Sequence, residues 1–260
     1  MIYLDYAAAT PVDDSVLDTF YQVTKKYYAN PNSSHKLGLD SKKLMDDTTL
    51  EISNLLHVSE AEIIYTSGAS EANNLAIKGV AERYKNRGKH ILIKKKEISL
   101  KPQIHGGKSV SVFRSGTPDL ASIVAAGIAI KKALVNVEER YDYVLALNEK
   151  IKDSLKNYPK IHINSTVNSI PYTINFSIKG VKALDIQNKL EEKGIFVSTK
   201  TSCCPIMTPS KIVYALTKDK GLSSSSIRVS LSHLTTLEEV DSFLNSIDDI
   251  YKEYEANGKI

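Results

Sequence analysis

A chain of 260 residues is long enough for one large or two modest domains and for a substantial core. With 42% hydrophobic and 25% charged residues it has an ordinary globular composition, which excludes disordered and fibrous classes. The net charge of +4 is dispersed, with Lys and Arg alternating with Asp and Glu, so the dense basic stripe of a nucleic-acid-binding protein is missing and no nucleic-acid partner is expected.

The N-terminus, "MIYLDYAAATPVDD", lacks the basic and apolar segments of a secretory signal, and no later run approaches the roughly 20 apolar residues that span a bilayer. "DDSVLDTFYQVTKKYY" and "SKKLMDDTTLEISNLL" carry helical apolar spacing on either side of the loop "ANPNSSHKLG". "EIIYTSGASEANNLAIKGVAERY" passes from a short β-rich run through a glycine turn into a helix. "KHILIKKKEISL" reads as extended, "HGGKSVSVFRSGTP" as a glycine-bearing loop, and residues 119–158 as one long helical stretch. From about residue 158 strands alternate with helices: "IHIN", "YTINFS", a helix from Ala183 to Glu192, "IFVST", a helix near Pro209 to Thr217, "SIRVSLS" and a final helix. Thr236 and Glu239 form a capping box for that last helix, and Leu237, Val240, Phe243, Leu244, Ile247, Ile250 and Tyr251 follow at spacings of three and four.

Four places carry residues suited to chemistry. Gly68, Ala69 and Ser70 lie between the β-rich run and a helix start, where small residues and unpaired N–H groups suit a phosphate; taken alone, they are better explained as a plain helix cap. Arg114, Ser115, Gly116 and Thr117 precede another helix with the same two readings. The chain's two cysteines, Cys203 and Cys204, are adjacent, a poor arrangement for a disulfide, so a reducing, cytosolic setting is expected. Cys203 follows Lys200 in a polar loop, an environment that favours the nucleophilic thiolate. Arg228, an isolated cation in a β-rich run, is either a carboxylate clamp or a solvent-facing residue. His35, His105 and His233 show no metal-ligand spacing, so no metal is expected.

Taken in order, these segments resemble the cysteine desulfurases, in the class V aminotransferase branch of the pyridoxal-phosphate enzymes. "YLDYAAATPVD" is similar to the family's opening L-D-N-A-A-T-T-P, "NPNSSHKLG" to its N-P-S-S-x-H loop, and "TSGASEANNLAIKG" to its T-S-G-A-T-E-x-N-N phosphate turn. "LKPQIHGG", "FRSGT", "INFSIKGV" and "SIRVSLSHLTTLEEVD" resemble its H-G-G, R-S-G-T, N-F-S and S-I-R-x-S-L-G-R segments. The resemblance implies an α/β protein of the type I pyridoxal-phosphate fold, with a shortened large-domain sheet and a small α/β sandwich domain. Residues 1–20 would associate with the small domain, 21–157 would form the large domain, and 158–260 the small one. It further implies pyridoxal phosphate held near Gly68, Ala69, Ser70 and Thr117, the last serving a neighbouring subunit's phosphate in a homodimer. L-cysteine would be bound through Arg228 and Asn30. Cys203, on the family's "S-T-G-S-A-C-S" loop, would take its sulfur as a persulfide, leave alanine, and pass the sulfur to an acceptor such as an iron–sulfur scaffold.

One part of the pattern has no counterpart. The family's cofactor lysine sits in an S-x-H-K segment, with a stacked His and an Asp at the ring nitrogen, and here "GKHILI" runs directly into "KKKEISLKPQIHGG", giving a junction near 93–96. "SSHK", Ser33 to Lys36, imitates the motif but precedes the phosphate turn, so Lys36 is not assigned to it. Such a cofactor acts as an electron sink only when its ring and aldehyde are matched by protein groups. Two readings follow: a cysteine desulfurase-like enzyme, or an inactive family member that dimerises or binds a scaffold.

Overall fold

Asp13, just before the first helix, has its side chain accept from the Ser15 amide, the usual device for satisfying an orphan N–H at a helix start. The structure, a computed structural model, describes residues 1–84, 101–106, 113–200 and 208–260. The junction expected near 93–96, Cys203 and Cys204 lie outside these. The chain divides into two units, Val12–Val135 and Met1–Pro11 with Asn136–Ile260.

In the first unit α1 (Asp14–Lys26), α2 (Lys36–Leu56), a 3-10 turn (Glu60–Glu62), α3 (Ala69–Tyr84) and α4 (Leu120–Ala133) follow one another. Both α1 and α2 pack on α4, around a core of Val23, Met45, Leu120, Ala121, Ile123 and Val124. Gly38, in the first turn of α2, is fixed by proximity: a Cβ there would lie 2.4 Å from the Ser33 carbonyl oxygen and 2.9 Å from that of Asn30. Loop 30–33 therefore lies directly on the helix, which His35 caps by accepting from the Gly38 amide. The β-rich run at 62–66 is not a strand. Its hydrogen-bonding edge has no partner strand among the described residues, and an unpaired strand leaves its peptide groups unsatisfied.

The second unit holds the strands. β1 (Ile2–Tyr3) pairs in parallel with β4 (Ile195–Phe196), and β2 (Ile161–Ile163), β3 (Thr173–Ile178) and β5 (Ser226–Ser230) form an antiparallel sheet in the order β2-β3-β5. Leu4 continues β1 by accepting from the Ser230 amide and donating to the Phe196 carbonyl, which ties the N-terminal segment between β4 and β5. Helices α5 (Val137–Leu155), α6 (Ala183–Glu192) and α9 (Leu237–Ala256) pack around the sheet, and α7 (Lys211–Thr217) and α8 (Lys220–Ser224) follow the loop after β4. The core includes Leu4, Leu147, Ile151, Phe176, Ile186 and Phe243, with the two Phe rings edge to face at 6.4 Å between centroids.

The long helical stretch expected over 119–158 is two helices. Asn136 adopts a left-handed backbone (φ 54°) that ends one and starts the other. Because α5 packs on β2, β3 and α9, the C-terminal unit starts at Asn136, whereas the change of sequence pattern pointed to 158.

Candidate functional site

In the C-terminal unit, Ser198 lies two residues past β4 and bridges Arg228 of β5 through both backbone bonds, 3.1 Å and 2.6 Å. That bridge sets Arg228 beside Ser198, which precedes Cys203 by five positions in the sequence. Lys200 and Thr208 are held together: Lys200 Nζ donates to the Thr208 carbonyl at 2.9 Å and to its Oγ1 at 3.3 Å. The Arg228 side chain is 14% exposed, and its Nη2 donates to Asp5 Oδ1 at 2.7 Å. Asp5 Oδ2 accepts from Ser198 Oγ at 2.8 Å. Arg228 Nε is buried and has no hydrogen-bond partner among the described residues. A guanidinium carries five donors, and a buried one with a donor unpaired is poised to take a second acceptor, a carboxylate above all. At 14% exposure and paired with Asp5, the Arg228 side chain is turned inward.

In the N-terminal unit a cleft of about 710 Å³ is lined by Tyr65, Thr66, Ser67, Arg114, Thr117 and Asp119 among others. Ser67 donates through its amide (2.8 Å) and its hydroxyl (2.5 Å) to Glu71 Oε2, and Arg114 Nε donates to Glu71 Oε1 at 3.0 Å. The Ser67 hydrogen bonds first, and then Arg114, hold the Glu71 carboxyl below its ordinary range. Asn30 Nδ2 donates to Thr117 Oγ1 at 3.3 Å, so two residues assigned to substrate and cofactor meet although 87 positions apart. Gly68 leads into α3 with extended backbone, and a Cβ on it would meet nothing within 4 Å, so the outer side of this turn is open. Ala69 opens α3, and the exposed Ser70 accepts from Asn74 Nδ2 at 2.8 Å through its carbonyl.

Pyridoxal phosphate fits this cleft only at one end. The Thr117 hydroxyl, which accepts from Asn30, and the start of α3 supply donors for a phosphate, while the Thr66 and Ser67 hydroxyls already donate to the Gly68 carbonyl and to Glu71. Against that, the one cation lining the cleft among the described residues is Arg114, already paired with Glu71, while Asp46, Glu60 and Asp119 bring negative charge. Among those residues no lysine or histidine lines it, so no amine there meets the aldehyde and no imidazole stacks on the ring. The described residues therefore do not form a complete site for this group.

Asp5, Ser198 and Glu71 were not singled out from the sequence. Asp5 stands inside the quoted opening motif, but its partner is 223 positions away, and only the fold reveals the pairing.

Solved structures define the class to which this fold belongs, the type I pyridoxal-phosphate fold. A NifS-like protein superposes with a TM-score of 0.85 at 22% identity, covering 96% of this chain and 99% of its own. A NifS-like protein from Rickettsia africae superposes at 0.80 with 20% identity, covering 97% and 99%. The aminotransferase class-V family model matches residues 2–101 and 101–243, and the chain belongs to that family. Its relatives include the cysteine desulfurase IscS of Buchnera aphidicola, 26% identical over 365 positions that cover 92% of this chain and 90% of the relative. A NifS/IcsS protein homolog of Lactobacillus delbrueckii is 24% identical over 377 positions, covering 98% of each. Alignments of that length with a chain of 260 residues open wide gaps in it, and the two pieces of the family match meet at Lys101.

Proposed function

We propose that this chain works in sulfur transfer of the cysteine desulfurase kind, with Cys203 as the thiol that receives sulfur from L-cysteine and Arg228 as the clamp for that substrate's carboxylate. The observation that carries the reading is the Arg228 side chain, bridged through its backbone to Ser198, with a buried Nε that has no partner among the described residues. Pyridoxal phosphate is the group that supplies the electron sink for such chemistry in this family. In the chain itself, the Ser198 bridge and the Asp5 carboxylate orient the guanidinium, and Asn30 sits on Thr117 in the cleft. The sulfur acceptor is a scaffold protein of iron–sulfur assembly, the setting cytoplasmic and the assembly a homodimer.

A second reading, a non-catalytic member that keeps the thiol and the C-terminal unit for binding a partner, is favoured by the lack of lysine in the cleft among the described residues.

Purified chain incubated with pyridoxal phosphate and L-cysteine under reducing conditions decides between them. Release of sulfide with a sulfur adduct on Cys203 by mass spectrometry, lost in Cys203→Ser and kept in Cys204→Ser, supports the first. A colourless protein that neither releases sulfide nor gains the adduct overturns it and leaves the second. Equal loss in both variants overturns the assignment of Cys203.

A further inference from the structure

Helix α2 carries four side-chain hydroxyls, and three of them serve its own backbone. Thr48 donates to the Leu44 carbonyl, Thr49 to that of Met45 and Ser53 to that of Leu50, each at 2.8 Å. Ser41 does not. It is fully buried, and its Oγ has no hydrogen-bond partner among the described residues. A buried polar atom left in this state calls for a partner from outside the chain.

Ser41 lines a second cleft of the N-terminal unit, of about 560 Å³, between α2 and the residues that end α1, and it is the one fully buried residue of that lining. Leu37, Ser41 and Leu44, at spacings of four and three, share the face of α2 that forms one wall, and Tyr27 and Tyr28 belong to the other. Two opposite charges also line the cleft. Among the described residues Asp40 makes no ion pair, and neither does Lys26, whose ammonium lies 5.3 Å from the centre of the Tyr27 ring, a contact that spends none of its hydrogen-bond donors. Lys43 and Asp47, at 3.8 Å, offset each other. The cleft therefore offers a carboxylate, an ammonium, a hydroxyl and an apolar surface, of which Leu37 is 49% and Tyr28 77% exposed. A simple anion would be repelled by Asp40 and a simple cation by Lys26. A molecule with both charges and an apolar body satisfies the whole lining.

We infer that this cleft binds a free α-amino acid with a bulky apolar side chain. Its ammonium donates to Asp40, its carboxylate accepts from Lys26 and from Ser41 Oγ, and its side chain lies on Leu37, Leu44 and Tyr28. The site shares no residue with that of Arg228 and rests on none of the chemistry assigned to Cys203.

Isothermal titration of the full chain with L-leucine tests it. L-Leucine binds saturably, whereas leucinamide, which lacks the carboxylate, and 4-methylpentanoate, which lacks the ammonium, each bind at least about tenfold more weakly, the effect of losing one charged hydrogen bond. Asp40→Asn and Lys26→Met weaken L-leucine by about the same factor, and Ser41→Ala by about threefold. Arg228→Lys leaves its binding unchanged. Saturating L-leucine raises the melting temperature of the wild-type chain. Without leucine, Ser41→Ala melts no lower than wild type, because the hydroxyl it removes has no partner to lose; a hydroxyl of purely structural value would lower it. Asp40 and Lys26 are exposed, and a far-ultraviolet circular dichroism spectrum that matches wild type shows that their variants are folded. A chain that binds neither L-leucine nor L-phenylalanine saturably overturns the inference. So does equal binding of leucinamide or 4-methylpentanoate, which denies the recognition of both charges. Binding lost in Arg228→Lys and kept in Asp40→Asn overturns it as well, by moving the ligand to the Arg228 site.

Discussion

Arg228 and Asp5 show how a single pair determines the character of a site. The two side chains are 14% and 19% exposed, and among the described residues the guanidinium has one carboxylate partner and one buried donor without any. Replacing Asp5 with Ala strands that cation, and breaking a largely buried pair in this way costs about 3 kcal/mol. Asp5→Ala therefore lowers the stability of the C-terminal unit by about that amount in urea unfolding. Arg228→Lys keeps the charge but replaces a planar fork by a point donor, so it weakens carboxylate binding more than it weakens the fold. Isothermal titration with L-alanine, which has the carboxylate and no thiol, reads the first effect; a thermal melt reads the second. Asp13 behaves differently because it is exposed. Lys132 and then Ser15 donate to its carboxylate and hold its pKa at about 2. In the unfolded chain an Asp titrates near about 3.9, so the Asp13 contribution is complete above that pH and is lost as pH falls through about 2. Lys132→Ala returns the Asp13 pKa toward the ordinary carboxylate range, as carbon-detected NMR titration of the carboxyl will record. At this scale the sequence revealed residue types and motifs, Arg228 and Thr117 among them. It was silent on Asp5, Glu71 and Arg114 as partners, because hydrogen bonds across 223 or 43 positions leave no local pattern.

Among the elements, those whose signals are local were read correctly from the sequence. Helix α9 begins at Leu237 after a Thr236 and Glu239 capping box that the structure contains in both halves, and Val240, Phe243, Ile247, Ile250 and Tyr251 of the apolar spacing are buried while Leu237 is exposed. Thr236→Ala removes the acceptor for the Glu239 amide, and the loss of an N-cap costs about 1 kcal/mol, visible as a lowered denaturation midpoint with an unchanged slope. Helix α6 has the limits the pattern indicated. Where tertiary partners decide, the pattern misled. The run at 62–66 has β-branched and aromatic residues suited to a strand, yet Ile63 is the cap of a 3-10 turn. The break between α4 and α5 depends on one left-handed Asn136, which apolar periodicity does not register. Gly38 was likewise mute in sequence. Gly38→Ala drives a methyl group to 2.4 Å from the Ser33 carbonyl, so loop 30–33 must lift from α2. Overpacking of this kind costs about 1–3 kcal/mol, and because Asn30 belongs to that loop, the contact with Thr117 is lost with it.

On the scale of the whole chain, the two units differ in how much apolar surface holds each together. Among the described residues the C-terminal core cluster joins twenty-three buried side chains, from Leu4 at the N-terminus to Tyr254 in α9, whereas the N-terminal one joins six. Burial contributes about 1.5–3 kcal/mol for each large apolar side chain, so the larger cluster unfolds at the higher temperature. The N-terminal strand strengthens that difference, since Ile2 and Leu4 are tied by backbone hydrogen bonds to β4 and β5 and bring the first eleven residues into the C-terminal unit. Differential scanning calorimetry of the full chain is therefore expected to show two transitions, the lower belonging to Val12–Val135. Phe243 is fully buried with its ring against Phe176, and truncating such a side chain costs about 3–5 kcal/mol. Phe243→Ala then moves the upper transition down and leaves the lower where it was, while Met45→Ala, in the smaller core, does the reverse. A single transition shifted equally by both substitutions would mean that the units melt as one body, and that the division at Asn136 is geometric without being energetic.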